Sequence, residues 1–232
     1  FDSADSNILY ILVSNHKEHG IVYSRNRGES LEMLYTLLRE EQIVDIAPLP
    51  GKAGAIFAAT QKGLLISSVD YGVSWAFVSS LKVPIASLVI PESSPSLIFA
   101  LTSDGVLYLS ENQGTDFKVI SAPEGGAVKK VVPGDKKSKF FLMTARDVYE
   151  TNDGGVNFKK VLIPATVGDR TLSDFEVSPS DDRIFHVAFG TLLLKSKDAG
   201  VQWSVKNIEA KSIDEIKISP LDGETIYAKV TY

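Results

Sequence analysis

Five octets recur along the chain: SRNRGESL from Ser24, SVDYGVSW from Ser68, SENQGTDF from Ser110, TNDGGVNF from Thr151 and SKDAGVQW from Ser196. Their starts are separated by 44, 42, 41 and 45 residues. Each reads Ser or Thr, any residue, Asp or Asn, any residue, Gly, two variable positions, then an apolar residue that is aromatic in four of the five. A period of this length means that one supersecondary unit is copied, and that each copy buries its apolar surface against its neighbours. A single octet would carry little weight. Five at near-constant spacing, with similar flanks, leave chance a poor explanation.

The flanks read as strands. Upstream of the octets lie NILYILVS, AIFAAT, LIFALT, FFLMTA and RIFHVAF, then short polar turns, then runs such as IVYS, LLIS, VLYLS, DVYET and LLLKS. These runs are rich in β-branched and aromatic residues and are punctuated by turn residues. After each octet comes a third kind of run (WAFVSS, FKVIS, FKKVLI, WSVKNI). A fourth (IVDIAP, IASLVIP, VKKVVP, LSDFEVSP, IDEIKISP) usually ends near a proline. Four strands per ~40–45 residues is the blade of a β-propeller. The chain is therefore expected to be all-β, a propeller of four-stranded antiparallel blades forming a single domain over residues 1–232. LEMLYTLLREE has a helical composition, but its place in the repeat reads as strand. Lettering the strands A to D outward from the axis gives five A, six B, five C and five D, or about five blades plus an incomplete one. A segment of a larger propeller would show that pattern, as would five closed blades with a surplus strand.

Turn chemistry accounts for the octets. Asn26, Asp70, Asn112, Asp153 and Asp198 suit acceptance of amide hydrogen bonds within their own turn. Gly28, Gly72, Gly114, Gly155 and Gly200 permit the positive φ of a tight hairpin. Ser24, Ser68, Ser110, Thr151 and Ser196 can tie a further amide, while Trp75, Phe117, Phe158 and Trp203 pack against the blade. Leu31 takes the aromatic place in the first octet, so that blade is expected to be less firmly pinned. These octets resemble the Asp-box, or BNR, repeat of the sialidase-like superfamily. That repeat also occurs in sortilin-type receptors, xyloglucan-cleaving enzymes and photosystem II assembly factor-like propellers. The resemblance covers essentially the whole chain and implies a structural role for the boxes, on hairpins away from any catalytic centre.

Composition narrows the function. With 24 basic and 29 acidic side chains the net charge is -5, which disfavours nucleic acid as a partner. No apolar run reaches the ~20 residues of a membrane span. The absence of cysteine excludes disulfides and thiol chemistry. No Gly-rich phosphate loop is found, and no cofactor is expected. His16 and His19 flank Glu18 in a turn without an identifiable third metal ligand, and His186 reads as half-buried strand packing. The sialidase resemblance implies three converging arginines and an Arg-Ile-Pro motif; the motif is missing, and Arg25, Arg27 and Arg183 fall on the octet side. Glycosidase chemistry needs two carboxylates across a cleft. Glu18, Glu40, Glu41, Asp104, Asp147 and Asp169 are the candidates, and each also reads as a solvated loop charge.

Short B–C turns and short D–A links, of which LIPATVGDRTL is the longest, make a flat face of mixed charge. That suits protein contact better than chemistry. The expected function is non-enzymatic protein binding or assembly through a face bearing Lys17, Lys62, Arg146, Asp169 and Arg170, closest in kind to the photosystem II assembly factor-like and sortilin-type propellers. A glycan-binding or glycoside hydrolase domain is the alternative. The resemblance places the protein outside the cytoplasm.

Overall fold

Twenty-one strands and one 3-10 turn, Pro123–Gly125, form the regular structure of the described residues. The computed structural model describes residues 1–14, 19–34, 42–164, 171–219, 222–223 and 225–232. The chain divides into two compact units, Phe1–Ile120 and Ser121–Tyr232.

In the first unit, β1 (Leu9–Ser14), β2 (His19–Ser24) and β3 (Glu32–Leu34) form a three-stranded antiparallel sheet. Two four-stranded antiparallel sheets follow in chain order. One is β4 (Ile43–Pro48), β5 (Ile56–Thr60), β6 (Leu64–Ser68) and β7 (Ala76–Ser80). The other is β8 (Ile85–Val89), β9 (Ile98–Thr102), β10 (Leu107–Ser110) and β11 (Lys118–Ile120). The second unit repeats the plan. Its sheets are β12 (Lys130–Pro133) to β15 (Lys159–Val161) through β13 (Phe140–Met143) and β14 (Val148–Thr151), and β16 (Asp174–Val177) to β19 (Ser204–Asn207) through β17 (Phe185–Phe189) and β18 (Leu192–Ser196). A two-stranded sheet, β20 (Ser212–Ile218) with β21 (Ile226–Thr231), completes it. Among the described residues this gives five first, six second, five third and five fourth strands, the tally the repeat implies. LEMLYTLLREE supplies strand at Glu32–Leu34; residues 35–41 lie outside the described residues.

Burial follows strand position. Second strands β5, β9, β13 and β17 are buried at every residue, which explains their near-continuous apolar sequences. Fourth strands are edges: β19 is exposed throughout, and β7, β11 and β15 expose their first two residues. Lysines at 118, 159, 160 and 206 on these edges oppose further strand pairing. β21 holds a second-strand place but is largely exposed.

Within each unit the core lies between successive sheets. In the second unit, Phe141, Phe175 and Phe185 form a ring cluster with centroids 5.2–5.7 Å apart. All three are at most 1% exposed, and each such ring contributes about 2 kcal/mol of burial. In the first unit, Phe57, Ala59 and Leu65 pack with Ile85, Leu88 and Ile98. His186, expected to be half-buried, is fully buried because β17 is covered on both faces. Aspartates on first strands also tie sheet to sheet. Asp45 Oδ2 accepts the Leu88 amide at 2.7 Å, and Asp174 Oδ2 accepts the Ile216 amide at 2.9 Å. Burial pushes the Asp45 carboxyl up, while its bonds from Leu88 and Ile46 act against that rise.

Candidate functional site

All five octets fold into the same hydrogen-bonded turn. The leading hydroxyl donates to the Asp or Asn Oδ1 at 2.7–2.9 Å. It also accepts the glycine amide at 2.8–3.0 Å. The same Oδ1 accepts the backbone amide four residues further on, from Ser30, Ser74, Asp116, Asn157 or Gln202, at 2.8–3.0 Å. Such bonds stabilise a carboxylate over its acid. Asp70 falls to about 2, chiefly through the Ser74 hydroxyl and amide, and Asp153 falls to about 2 through Asn157. Asp198 is lowered by the Gln202 amide.

Sequence reasoning missed two properties of this turn. The residue before each glycine is also left-handed: Arg27, Tyr71, Gln113, Gly154 and Ala199 have φ of 56–73°. Their amides reach outside the octet, to the carbonyls of Asn7, Gly54, Ser96, Ser138 and Arg183 at 2.8–2.9 Å. Each acceptor stands two residues before a second strand, so the turn clamps the loop leading into that strand. Glycine is also required by space. A Cβ on Gly114 would lie 2.2 Å from Leu65 Cδ2, and one on Gly200 would lie 2.9 Å from Val161 Cγ1. The closing aromatics differ in their contacts. Trp203 Nε1 donates to the carbonyls of Leu162 at 2.9 Å and Gly200 at 3.0 Å, and Phe158 meets Phe140 edge-on at 6.1 Å. Trp75 and Phe117 pack against the cores of the first unit, while Leu31 is 55% exposed.

A second repeat governs the opposite ends of the third strands. Buried Thr60 and Thr102 end their second strands and buried Thr144 directly follows its own, the three spaced 42 residues apart. Their hydroxyls accept the amides of Leu64 at 3.0 Å, Val106 at 3.0 Å and Asp147 at 3.1 Å, fixing the following turns. That spacing is a readable signal. The turn tips vary, and two of the residues expected on a partner face sit on them. Lys62 is on the β5–β6 turn in the first unit and Arg146 on the β13–β14 turn in the second. Lys17, Asp169 and Arg170 lie outside the described residues, as do His16, Glu18, Arg39, Glu40 and Glu41.

The two carboxylate candidates within the described residues are engaged locally. Asp104 accepts the Thr102 hydroxyl, which lowers its pKa. Asp147 pairs with Lys160 at 2.8 Å. Beside Arg146 runs a groove of about 240 Å³, lined by Pro123, Glu124, Lys129, Thr144 and Tyr149 among others. Burial pushes the Tyr149 hydroxyl up, and the negative charges of Asp147 and Glu124 act in the same direction. A second groove, of about 360 Å³, follows the end of β15 past Leu162, Val201 and Trp203. Ion pairs absorb other charges of this unit. Lys130 meets Asp174 at 2.6 Å and Glu176 at 2.9 Å, Lys217 meets Glu176 at 2.8 Å, and Lys139 meets Asp182 at 2.6 Å. Among the described residues, no group of three or more His, Cys, Asp or Glu is placed to hold a metal ion, and no helix is long and apolar enough to cross a membrane.

No protein-family model matches the chain, and no curated protein matches it. Solved structures do. A GH74 xyloglucanase from Xanthomonas campestris superposes with a TM-score of 0.78 at 17% identity, covering 100% of this chain and 43% of that one. The fold is a β-propeller. A GH74 enzyme from Niastella koreensis gives 0.77 at 15% identity, covering 98% of this chain and 42% of that one. YCF48, solved bound to a D1 peptide, gives 0.66 at 10% identity over 98% of this chain and 77% of that one. The chain spans less than half the length of the GH74 enzymes it resembles. At such identities the likeness speaks for the fold alone, since one propeller carries unrelated functions.

Proposed function

We propose that this chain is a non-catalytic Asp-box propeller domain over residues 1–232 that binds a protein partner through its B–C turn end. The observation that carries the reading is that both described carboxylate candidates are committed to local bonds, Asp104 with Thr102 and Asp147 with Lys160, while Arg146 is presented on a braced turn. Short, braced turns suit contact with a partner's surface. Support comes also from YCF48, a propeller solved with a peptide bound. The octets are read as structural clamps, and the extracytoplasmic setting rests on their resemblance to Asp-box proteins.

The alternative is a glycan-binding or glycan-cleaving domain, favoured by the higher TM-scores to the GH74 enzymes. Fluorescence anisotropy with a labelled D1 peptide, beside calorimetry and sugar-release assays with xyloglucan oligosaccharides, separates the two. Saturable peptide binding without sugar binding or release is expected. Oligosaccharide binding or cleavage without peptide binding would overturn the scaffold reading.

A further inference from the structure

We infer that the groove beside Arg146 selects an acidic peptide segment, whose carboxylates are taken by Lys129 and Arg146. The inference rests on the peptide-binding reading above and gives that partner a chemistry. The groove is formed by two braced backbone segments. On one side Thr144 Oγ1 accepts the Asp147 amide at 3.1 Å, and the Thr144 amide donates to the Asp147 carbonyl at 2.9 Å, so Arg146 stands at the tip of a closed turn. From the following link, the Leu172 amide holds the Ala145 carbonyl at 2.8 Å. On the other side the Pro123–Gly125 turn places Glu124 and Gly125 at φ of 58° and 69°, and the Gly126 amide closes onto the Pro123 carbonyl at 3.4 Å. The walls are thus set before any partner arrives, which lowers the ordering cost of binding.

The charges of the groove divide into spent and unspent. Asp147 is neutralised by Lys160 at 2.8 Å, and Lys160 lies 6.0 Å from the Tyr149 ring centroid. Glu124 is the second acid, and it faces the buried Tyr149 hydroxyl. Lys129 and Arg146 are both exposed, line the same groove, and have no acidic partner among the described residues. Two cations without an acidic partner among the described residues, beside Pro123, Ala127, Ala145 and Tyr149, suit carboxylates carried on an extended chain, with Arg146 able to grip one bidentately. The net charge of -5 repels a polyanion in general, so an acidic peptide needs such a local site to bind.

Fluorescein-labelled hexaglutamate, hexalysine and hexaserine would be titrated into the full chain, a K129E/R146E variant and a K206E/K211E variant. The last carries the same charge change on exposed residues outside the groove. Unchanged far-ultraviolet circular dichroism and melting would confirm that both variants fold. Hexaglutamate should bind the wild type, weaken with added salt, lose about tenfold or more in K129E/R146E, and change less than about twofold in K206E/K211E. Equal loss in both variants, or none in K129E/R146E, overturns the inference. If wild type binds the D1 peptide, hexalysine or hexaserine but not hexaglutamate, the acidic specificity falls while the peptide-binding reading stands. Binding of no peptide at all sinks both.

Discussion

At one end of strands β2, β6, β10, β14 and β18 the chain builds the same turn five times; at the other end it builds turns that share only a bracing threonine in three cases. The octet turns satisfy almost all their polar groups internally. They spend their spare amide on the loop before the adjoining strand, and Gly72, Gly114 and Gly200 sit where a neighbouring sheet leaves no room for a Cβ. Three of the B–C turns are braced from beneath by Thr60, Thr102 or Thr144, and their tips differ: Lys62, Asp104, which accepts the Thr102 hydroxyl, and Arg146. Repetition therefore marks where packing constrains the backbone, and variation marks where the turn accepts different side chains.

The largest effect should come from the octet glycines. Gly114→Ala forces a side chain to φ 85° and into Leu65, and should cost about 3 kcal/mol by urea denaturation. A cost under about 0.5 kcal/mol would mean that the sheets separate easily there and that the clamp is not structural. Ser68→Ala comes next. It removes the oxygen that accepts the Gly72 and Asp70 amides and should cost about 1–2 kcal/mol.

A subtler change concerns acid. With Asp70 and Asp153 near 2 in the folded chain, against an ordinary 3.8, their stabilisation is complete above about pH 4 and is lost as pH falls through 2. Asn already fills this place at 26 and 112, making the same turn. D70N/D153N should therefore fold normally at neutral pH, and its urea midpoint should fall less between pH 4 and 2 than that of wild type. An unaltered acid limb would show that other carboxylates control it.

The smallest expected effect on stability lies at the opposite ends. Arg146→Ala and Lys62→Ala should each shift unfolding by no more than about 0.5 kcal/mol. Arg146→Ala should nevertheless weaken peptide binding in the anisotropy assay. If it destabilised the chain as Ser68→Ala does, the contrast between the two ends would disappear.

Much of the fold was legible because its signals are local. The bonds within each octet join residues at most four positions apart, so Ser68, Asp70, Gly72 and Ser74 carry their geometry in their own order. The 42-residue spacing of the bracing threonines was equally visible, though less conspicuous, because one threonine per repeat lacks a surrounding pattern. Other features could not be read. That Asp45 would be buried against Leu88, or that Lys130 would bind Asp174 and Glu176, depends on sheets whose sequences lie more than forty residues apart. The burial of His186 likewise reflects what covers β17, not the strand itself.

By itself the sequence determined the period, the strands and the self-contained turn, since each is a matter of near neighbours along the chain. Only the tertiary structure decided which charges are spent in ion pairs and which remain, that Gly114 faces Leu65, and that Lys129 shares a groove with Arg146. Those are distances between remote segments, and packing alone sets them.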